Sequence, residues 1–480
     1  MPTTRSSRPA KAVVGSAVIL LATLGLGIGI ARSPRDAAAV PAARWTLGVR
    51  VWDVPTLDPD RIVLTWTDAP ETSQSVTWRT SPSVTEAQGQ IAVASPHPGF
   101  SLEPSTVPAT TRIVDAGQAD GEHVVASFHS VTFTGLTPST LYAYRVGGGD
   151  RWSEWFQFRT ASTDPEPFEL VYFGDAQNDI LSHWSRVVRA SALEAPAARV
   201  LIHAGDLVNR AHRNTEWGEW FHAGGFLHAM IPSFPTPGNH EYDALTEEDD
   251  ERDLSQLSQF WGAQFELPGN GPPGVDPETA YYVDFQGVRF VSLNSNRARD
   301  VQARWLDSIL AENEQPWTIV THHHPVFSAS TDRDNARLRA DWKPIYDRHA
   351  VDLVLQGHDH TYARGRTFAS AENAASGVNV RDDETGTVYV VSVSGRKMYE
   401  RKAEGWSGYE AELERRAENT QLFQVIRVDG NRLGYRALTP DGQVYDAFEL
   451  VKRDGRPNQF IEGSAGAPTY TFESTAPYTW

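Results

Sequence analysis

Five short segments carry the side chains that divalent cations prefer: Gly174–Gln177 (GDAQ), Gly205–Asn209 (GDLVN), Gly238–Glu241 (GNHE), His322–Pro325 (HHHP) and Gly357–His360 (GHDH). Their carboxylate and amide oxygens, with imidazole nitrogens, suit Mn, Fe, Zn, Co or Ni better than Cu(I), which prefers soft sulfur. The chain contains no cysteine, so a thiolate site and a disulfide framework are both excluded. Each segment alone is a weak signal. Gly-Asp after a strand is commonly a turn, and Asn in a loop tolerates left-handed backbone.

Placement gives the set its meaning. Apolar runs ELVYFGD, RVLIHAGD, RFVSLNSN, WTIVTHHHP and VDLVLQGHDH alternate with helical patterns over Trp184–Leu193, Gln302–Leu310 and Leu338–Tyr346. This alternation predicts a layered α/β domain. Four of the five runs end in Asp or His, and open α/β sheets place ligands at strand carboxyl ends, so the clusters are expected to converge. Later runs, GTVYVVSVSG, LFQVIRV, RLGYRAL and VYDAFELV, complete a second sheet. Upstream, from Arg61 to Thr160, short alternating runs such as IVLTW, SVTWRT and WFQFRT are punctuated by turn residues, which predicts an all-β sandwich. TASTDPEPF, Thr160–Phe168, reads as the linker between them. The expected division is residues 1–43 as an export segment, 44–163 as the sandwich, 164–453 as the α/β domain and 454–480 as a polar, loosely docked tail. The acidic run Glu247–Asp253 lacks the spacing of a calcium loop and reads as solvated.

The 480 residues suggest two or three domains. A formal charge of −18 argues against a general affinity for nucleic acid or anionic lipid, since both require a cationic surface. An anionic substrate must then be attracted locally, and a bound cation pair would supply that field. Arg5, Arg8 and Lys11 precede an uncharged run from Ala12 to Ala31, followed by small residues around Ala38 to Ala43. Charge, apolar run and small-residue site form an export signal, giving a secreted or cell-surface protein. The run approaches spanning length, so an uncleaved anchor is the alternative, and the membrane is a partner only in that case.

In order and strand context the five clusters resemble the calcineurin-like metallophosphoesterase superfamily, and specifically its purple acid phosphatase branch. VDLVLQGHDHTYAR, the helix before WTIVTHHHPVF, and GLTPSTLYAYRVG, which is similar to the end of a fibronectin type III domain, extend the likeness over about Arg61 to Gly395. The resemblance implies a fibronectin type III-like sandwich before a two-sheet metallophosphoesterase domain flanked by helices. It implies two divalent ions, Fe, Mn or Zn foremost, with Asp206 bridging. Asp175 and His360 then hold the first ion, and Asn239, His323 and His358 the second. The His-x-Pro pattern selects His323 from the triple histidine; His324 then packs or makes a supporting bond, and His322 alternates to the other side of the strand. Asp359 is by the same reasoning either solvent-facing or supporting. His240 is assigned to catalysis, protonating the leaving oxygen.

Two departures stand out. The tyrosine that gives purple acid phosphatases their colour is replaced by Asn209, and the third residue of the D-x-H motif found elsewhere in the superfamily is Gln177. Either Gln177 or Asn209 is expected to supply a neutral oxygen to the first ion, favouring a divalent metal. His212 and Arg213, following the bridging carboxylate, are candidates for substrate contact, whereas Trp217, Trp220 and Phe221 read as core. The implied reaction is hydrolysis of small-molecule phosphate esters. Monoesters are favoured; a phosphodiesterase or nucleotidase on the same ligands, or a cell-surface binding protein using the sandwich, are the alternatives.

Overall fold

The computed structural model describes residues 53–119, 122–243, 256–370, 374–375 and 383–463. The N-terminal signal or anchor segment and the acidic run Glu247–Asp253 lie outside the described residues. Among the described residues, no helix is long and apolar enough to cross a membrane.

The sequence from Asp60 to Arg159 folds as two facing antiparallel sheets. One orders Asp60–Thr65, Gln74–Thr80, Glu122–Phe133 and Thr110–Ala119; the other is built around Leu141–Gly148, which pairs with Gln88–Val93 and Phe156–Arg159. A period of two sets the inner face. Phe156 and Phe158 are buried while Gln157 and Arg159 are exposed. The Tyr142 hydroxyl accepts the Thr137 N–H at 2.9 Å, tying a strand to its corner. Arg61 and Arg79 both donate to Asn214 Oδ1, at 2.8 and 3.0 Å, and the Tyr144 hydroxyl donates to the Ala229 carbonyl at 2.6 Å. These bonds fasten the sandwich to the larger unit.

That unit is a two-sheet α/β sandwich. In its eight-stranded sheet Phe168–Phe173, Ala198–His203 and Ser233–Pro235 run parallel; in its seven-stranded sheet Val288–Leu293, Trp317–His322, Leu353–Gln356 and Val388–Val391 do. The strands are apolar on both faces because both faces are covered. Phe290, Ile319 and Leu353 join the core shared with the other sheet, where Phe234 lies 4.8 Å from Tyr281. Val291, Val320 and Val354 turn the other way, against Leu306, Leu338 and Trp342 of helices Arg299–Ala311 and Ala336–Arg348. On the opposite side, helices Ile180–Glu194 and Asn214–Gly224 stack Trp184 on Trp220 at 6.0 Å.

One boundary moves. The chain does not become a loose tail at 454: Arg456–Glu462 forms a strand paired with Val444–Arg453 and with Glu384–Thr385. Gly455, at φ +61°, makes the turn, and Phe460 stacks on Phe448 at 5.3 Å. A single aromatic anchor in an otherwise polar strand is a weak sequence signal.

Three histidines are buried as neutral rings. His129 lies between the Thr80 and Thr111 hydroxyls, and His228 stacks on Trp220 at 4.0 Å with His203 nearby at 6.0 Å. Burial pushes His129 down to about 4 and His228 down to about 3, and places His203 well below the usual range. A base with a depressed folded pKa binds its proton only on unfolding, so its contribution is complete above about pH 6.5 and falls as pH drops toward the folded value. Each ring is expected to remove up to about 1.4 kcal/mol per pH unit below that point. Urea titrations between pH 7.5 and 4.5 should show a slope shallower by one proton for His228→Met than for the parent; equal slopes would refute the assignment.

Candidate metal centre

The parallel strands of both sheets end on one edge, and each strand end delivers one cluster. Phe173 leads to Asp175, His203 to Asp206, Pro235 to Asn239, His322 to His323 and Gln356 to His358. The turns are tight. A Cβ on Gly238 would stand 2.2 Å from Asp206 Oδ1, and one on Gly357 would stand 2.2 Å from Asp175 Oδ1, so each glycine is required by close approach. Asp206, His358 and His360 occupy the left-handed region, with φ of +51°, +72° and +50°. Non-glycine residues held there are strained, and such strain concentrates at functional sites.

The side chains form two groups that share Asp206 and are buried except for the half-buried His358. One comprises Asp175, Asp206 and His360, the other Asp206, His323 and His358, with donor atoms in each within 4.8 Å of one another. His323 Nε2 lies 3.2 Å from Asp206 Oδ2, 3.1 Å from Asn239 Oδ1 and 3.2 Å from His358 Nδ1. His360 Nε2 lies 3.1 Å from Asp175 Oδ2. Backbone carbonyls fix two of the rings. His323 Nδ1 donates to Ala204 O and His360 Nδ1 to Lys397 O, both at 2.8 Å, leaving each Nε2 lone pair facing the cluster, as metal-ligating histidines require.

The electrostatics match a missing positive charge. Burial, opposed by His323 and reinforced by Asp206, lifts Asp175 to about 7. Burial pulls the His323 imidazole down, but Asp206 and Asp175 outweigh it and raise it to about 9. His358 and His360 are depressed by burial, His360 to about 3, and so present the neutral form that binds metal. Asp175 Oδ2 and Gln177 Oε1 are buried without a hydrogen-bond partner among the described residues. Unsatisfied buried acceptors beside a second carboxylate, with oxygen and imidazole donors, fit a pair of hard or borderline divalent cations.

Other sequence candidates fall in distinct places. Gln177 is fully buried in the cluster, with Nε2 donating to Asp206 Oδ2 at 2.7 Å and lying 3.2 Å from His360 Nε2. A half-turn of the amide would present its oxygen to the same space. Asn209 meets the site through its backbone: its carbonyl accepts His240 Nδ1–H at 2.6 Å. His240, 27% exposed at the rim, also donates its backbone N–H to Asp206 Oδ1 at 2.9 Å. His212 is buried, its Nε2 3.3 Å from the Asp243 carbonyl and its Nδ1 accepting the Gln259 N–H at 3.4 Å. Arg213 precedes helix Asn214–Gly224 and lines a cavity of about 340 Å³ beside Asn209, Asn178 and Glu216. Trp217, Trp220 and Phe221 are core. His322 turns away toward Trp342 and Tyr346, and His324 bonds Ser295 Oγ at 2.8 Å while packing 4.2 Å from the His358 ring.

Asp359 is fully buried, which excludes the solvent-facing alternative. Its Oδ2 accepts from Ser328 Oγ, Ala329 N and Ser330 N at 2.7, 2.6 and 3.1 Å. Glu241 is the residue to which the sequence assigned no role. Fully buried, it accepts the backbone N–H groups of Asp206, Leu207 and Gly238 at 2.8, 2.8 and 2.7 Å, clamping the two turns that carry Asp206 and Asn239.

Comparison with known proteins agrees with this architecture. Residues 59–160 match the family described as purple acid phosphatase, N-terminal domain, and residues 171–362 match the calcineurin-like phosphoesterase family. Acid phosphatase type 7 of Danio rerio is 28% identical over 51% of this chain and 58% of its own length. Purple acid phosphatase 1 of Ipomoea batatas is 25% identical over 56% of this chain and 59% of its own. The chain thus spans about six-tenths of the length of the curated relatives it matches. Among solved structures, the purple acid phosphatase from yellow lupin seeds (Lupinus luteus) aligns with a TM-score of 0.66 at 18% identity, covering 82% of this chain and 74% of that one, which establishes a shared fold. Sandwich, two-sheet domain and paired Asp/His groups occur together in the order of both matched families, and the chain belongs to the calcineurin-like metallophosphoesterases, in their purple acid phosphatase-like branch.

Proposed function

We propose that this chain is a two-metal phosphoesterase acting on small-molecule phosphate esters, monoesters ahead of diesters. The observation that carries the reading is the sharing of buried Asp206 between two donor groups. In this assignment Asp175, Asp206, His360 and a turned Gln177 amide hold the first ion, and Asp206, Asn239, His323 and His358 hold the second. Two such ions supply Lewis acidity toward phosphate oxygens and an acidified water. Asn209 in place of tyrosine supports divalent ions, so the loaded protein is expected to lack a visible charge-transfer band; such a band would overturn that part.

The remaining chemistry falls to His240. Its Nδ1 proton is committed to the Asn209 carbonyl, so Nε2 is the nitrogen that can pass a proton to the leaving oxygen. Positioned proton transfer contributes roughly 10²–10⁴-fold. His240→Ala is expected to lower kcat about 10²–10³-fold on an alkyl phosphate and far less on a nitrophenyl ester, whose leaving anion needs no proton. Equal losses on both substrates would remove His240 from this role.

Rates on p-nitrophenyl phosphate and bis(p-nitrophenyl) phosphate with Mn²⁺, Zn²⁺ or Fe²⁺ test the whole reading. Metal-dependent hydrolysis with the monoester faster supports it, and background rates under every condition would end it. We infer also that residues 1–43 direct export to a secreted or cell-surface location, supported by the charge-then-apolar order of Arg5 to Ala31. N-terminal sequencing of the exported protein distinguishes cleavage from anchoring.

A further inference from the structure

Beside the metal centre lies a polar cavity of about 340 Å³ that the mechanism above leaves unused. Asn209 ties it to the proton donor. The carbonyl of Asn209 accepts His240 Nδ1–H at 2.6 Å, while the same residue lines the cavity. Asn178 ties it to the metal ligands, because it lines the cavity and directly follows Gln177, whose amide lies 2.7 Å from Asp206 Oδ2 and 3.2 Å from His360 Nε2. The cavity therefore adjoins both halves of the chemistry.

Two carboxamides on its walls have hydrogen-bonding capacity to spare. Asn178 Oδ1 is buried and has no hydrogen-bond partner among the described residues. Asn209 is bonded through its backbone, its N–H donating to Glu216 Oε2 at 2.7 Å and its carbonyl accepting from His240, and among the described residues its side chain makes no hydrogen bond. Buried polar atoms are almost always paired, so an unpaired one on a cavity wall indicates the chemistry of what enters. Asn178 and Asp179 are also consecutive left-handed residues, with φ of +61° and +51°, and such strain concentrates at ligand sites. The charged groups on the lining are compensated or negative. Glu216 lies 3.7 Å from Arg213, Asp179 is paired with Arg396, and Glu219 Oε2 accepts the Leu181 N–H at 3.3 Å. Three carboxylates against one guanidinium on the lining disfavour an anionic occupant.

We propose that this cavity receives the alcohol part of the substrate, and that the Asn178 and Asn209 carboxamides select a neutral, hydroxyl-rich alcohol of monosaccharide size. The proposal rests on the phosphoesterase reading above. His240 serves the leaving oxygen, and the cavity on the Asn209 side of His240 is where the group attached to that oxygen lies. Its volume falls at the lower end of the roughly 300–1,000 Å³ usual for small-molecule sites, which suits one sugar ring. A carboxamide is donor and acceptor at once, as a hydroxyl is, so each side chain can engage neighbouring hydroxyls of a sugar. Such a site rejects an analogue lacking hydroxyls, because its own polar groups are then left unpaired. The two side chains act on specificity and take no part in bond breaking.

The test compares kcat/KM for glucose 6-phosphate and cyclohexylmethyl phosphate, which present a six-membered ring with and without hydroxyls, among the parent, Asn178→Gly and Asn209→Leu at equal metal content. Glycine keeps the left-handed turn, and leucine keeps the side-chain volume. The parent is expected to favour the sugar ester by at least about tenfold, and each variant to lose about tenfold on that ester and less than about twofold on the other. Equal losses on both esters in Asn178→Gly, or no loss on either, overturn the pocket. Saturation-transfer NMR of methyl α-glucoside with the full chain in chelator gives a readout that needs neither metal nor turnover. Transfer in the parent that Asn178→Gly lacks, with no hydrolysis of either ester, defeats the phosphoesterase reading and leaves the pocket standing. Hydrolysis of both esters without preference for the sugar defeats the pocket alone.

Discussion

Asp206→Ala is expected to lower kcat/KM for a phosphate monoester by at least roughly 10⁴-fold, about 5–6 kcal/mol of transition-state stabilisation, and to leave the protein with less than one bound ion per chain. The size follows from position. Asp206 is the one side chain common to both donor groups, and its Oδ1 also accepts the His240 backbone N–H, so its removal disturbs both ions and the proton donor together. Asn239→Ala touches one group only and should retain the first ion. Metal content after dialysis separates the cases. Two ions retained by Asp206→Ala, with a modest rate loss, would show that Asp206 is not shared.

The substitution should also destabilise the fold, because Asp206 pairs with His323 at 3.2 Å and accepts from the His240 N–H and the Gln177 amide, and these losses outweigh the relieved repulsion with Asp175. A thermal midpoint below the parental value in chelator, together with lost activity at temperatures where the variant is still folded, is the expected pattern. The parent in chelator is the proper reference, since bound ions stabilise the native state by mass action.

The candidate ligands were legible because two independent constraints act on them. Their residue types are fixed by the donor chemistry, and their positions are fixed by the ends of parallel strands whose apolar runs are visible in sequence. Asp175, Asp206, His323 and His358 satisfy both. Glu241 satisfies neither. It lies in a short 3-10 turn, and its hydrogen-bond partners Asp206 and Leu207 are 35 and 34 residues away along the chain. Asp359 was ambiguous for the same reason, since Ser328 to Ser330, which bury it, come from a different loop. The placement of His212 depended on the loop around Asp243, and the last strand on one phenylalanine, Phe460. Local pattern reports what a residue can do, whereas these outcomes were decided by what a distant segment brought to it.

Glu241→Ala is the second substitution with a large expected effect, and it acts without removing any candidate ligand. Burial and the Asp206 charge push Glu241 up to about 8, and the backbone N–H donors oppose that rise. Truncation leaves the N–H groups of Asp206, Leu207 and Gly238 buried without acceptors. At roughly 1–3 kcal/mol for each unsatisfied group, the loss should be about 3–9 kcal/mol of stability. Asp206 sits at φ +51°, and with its clamp gone that strained turn can relax toward ordinary backbone, drawing the carboxylate away from both groups. Weaker binding of both ions and a rate loss larger than the stability loss alone would produce are therefore expected. Glu241→Gln keeps one carbonyl acceptor but turns an amide N–H toward a backbone N–H, and should fall between. Urea unfolding and metal titration of the three proteins decide the matter: if Glu241→Ala binds both ions with parental affinity, the clamp is not what positions Asp206.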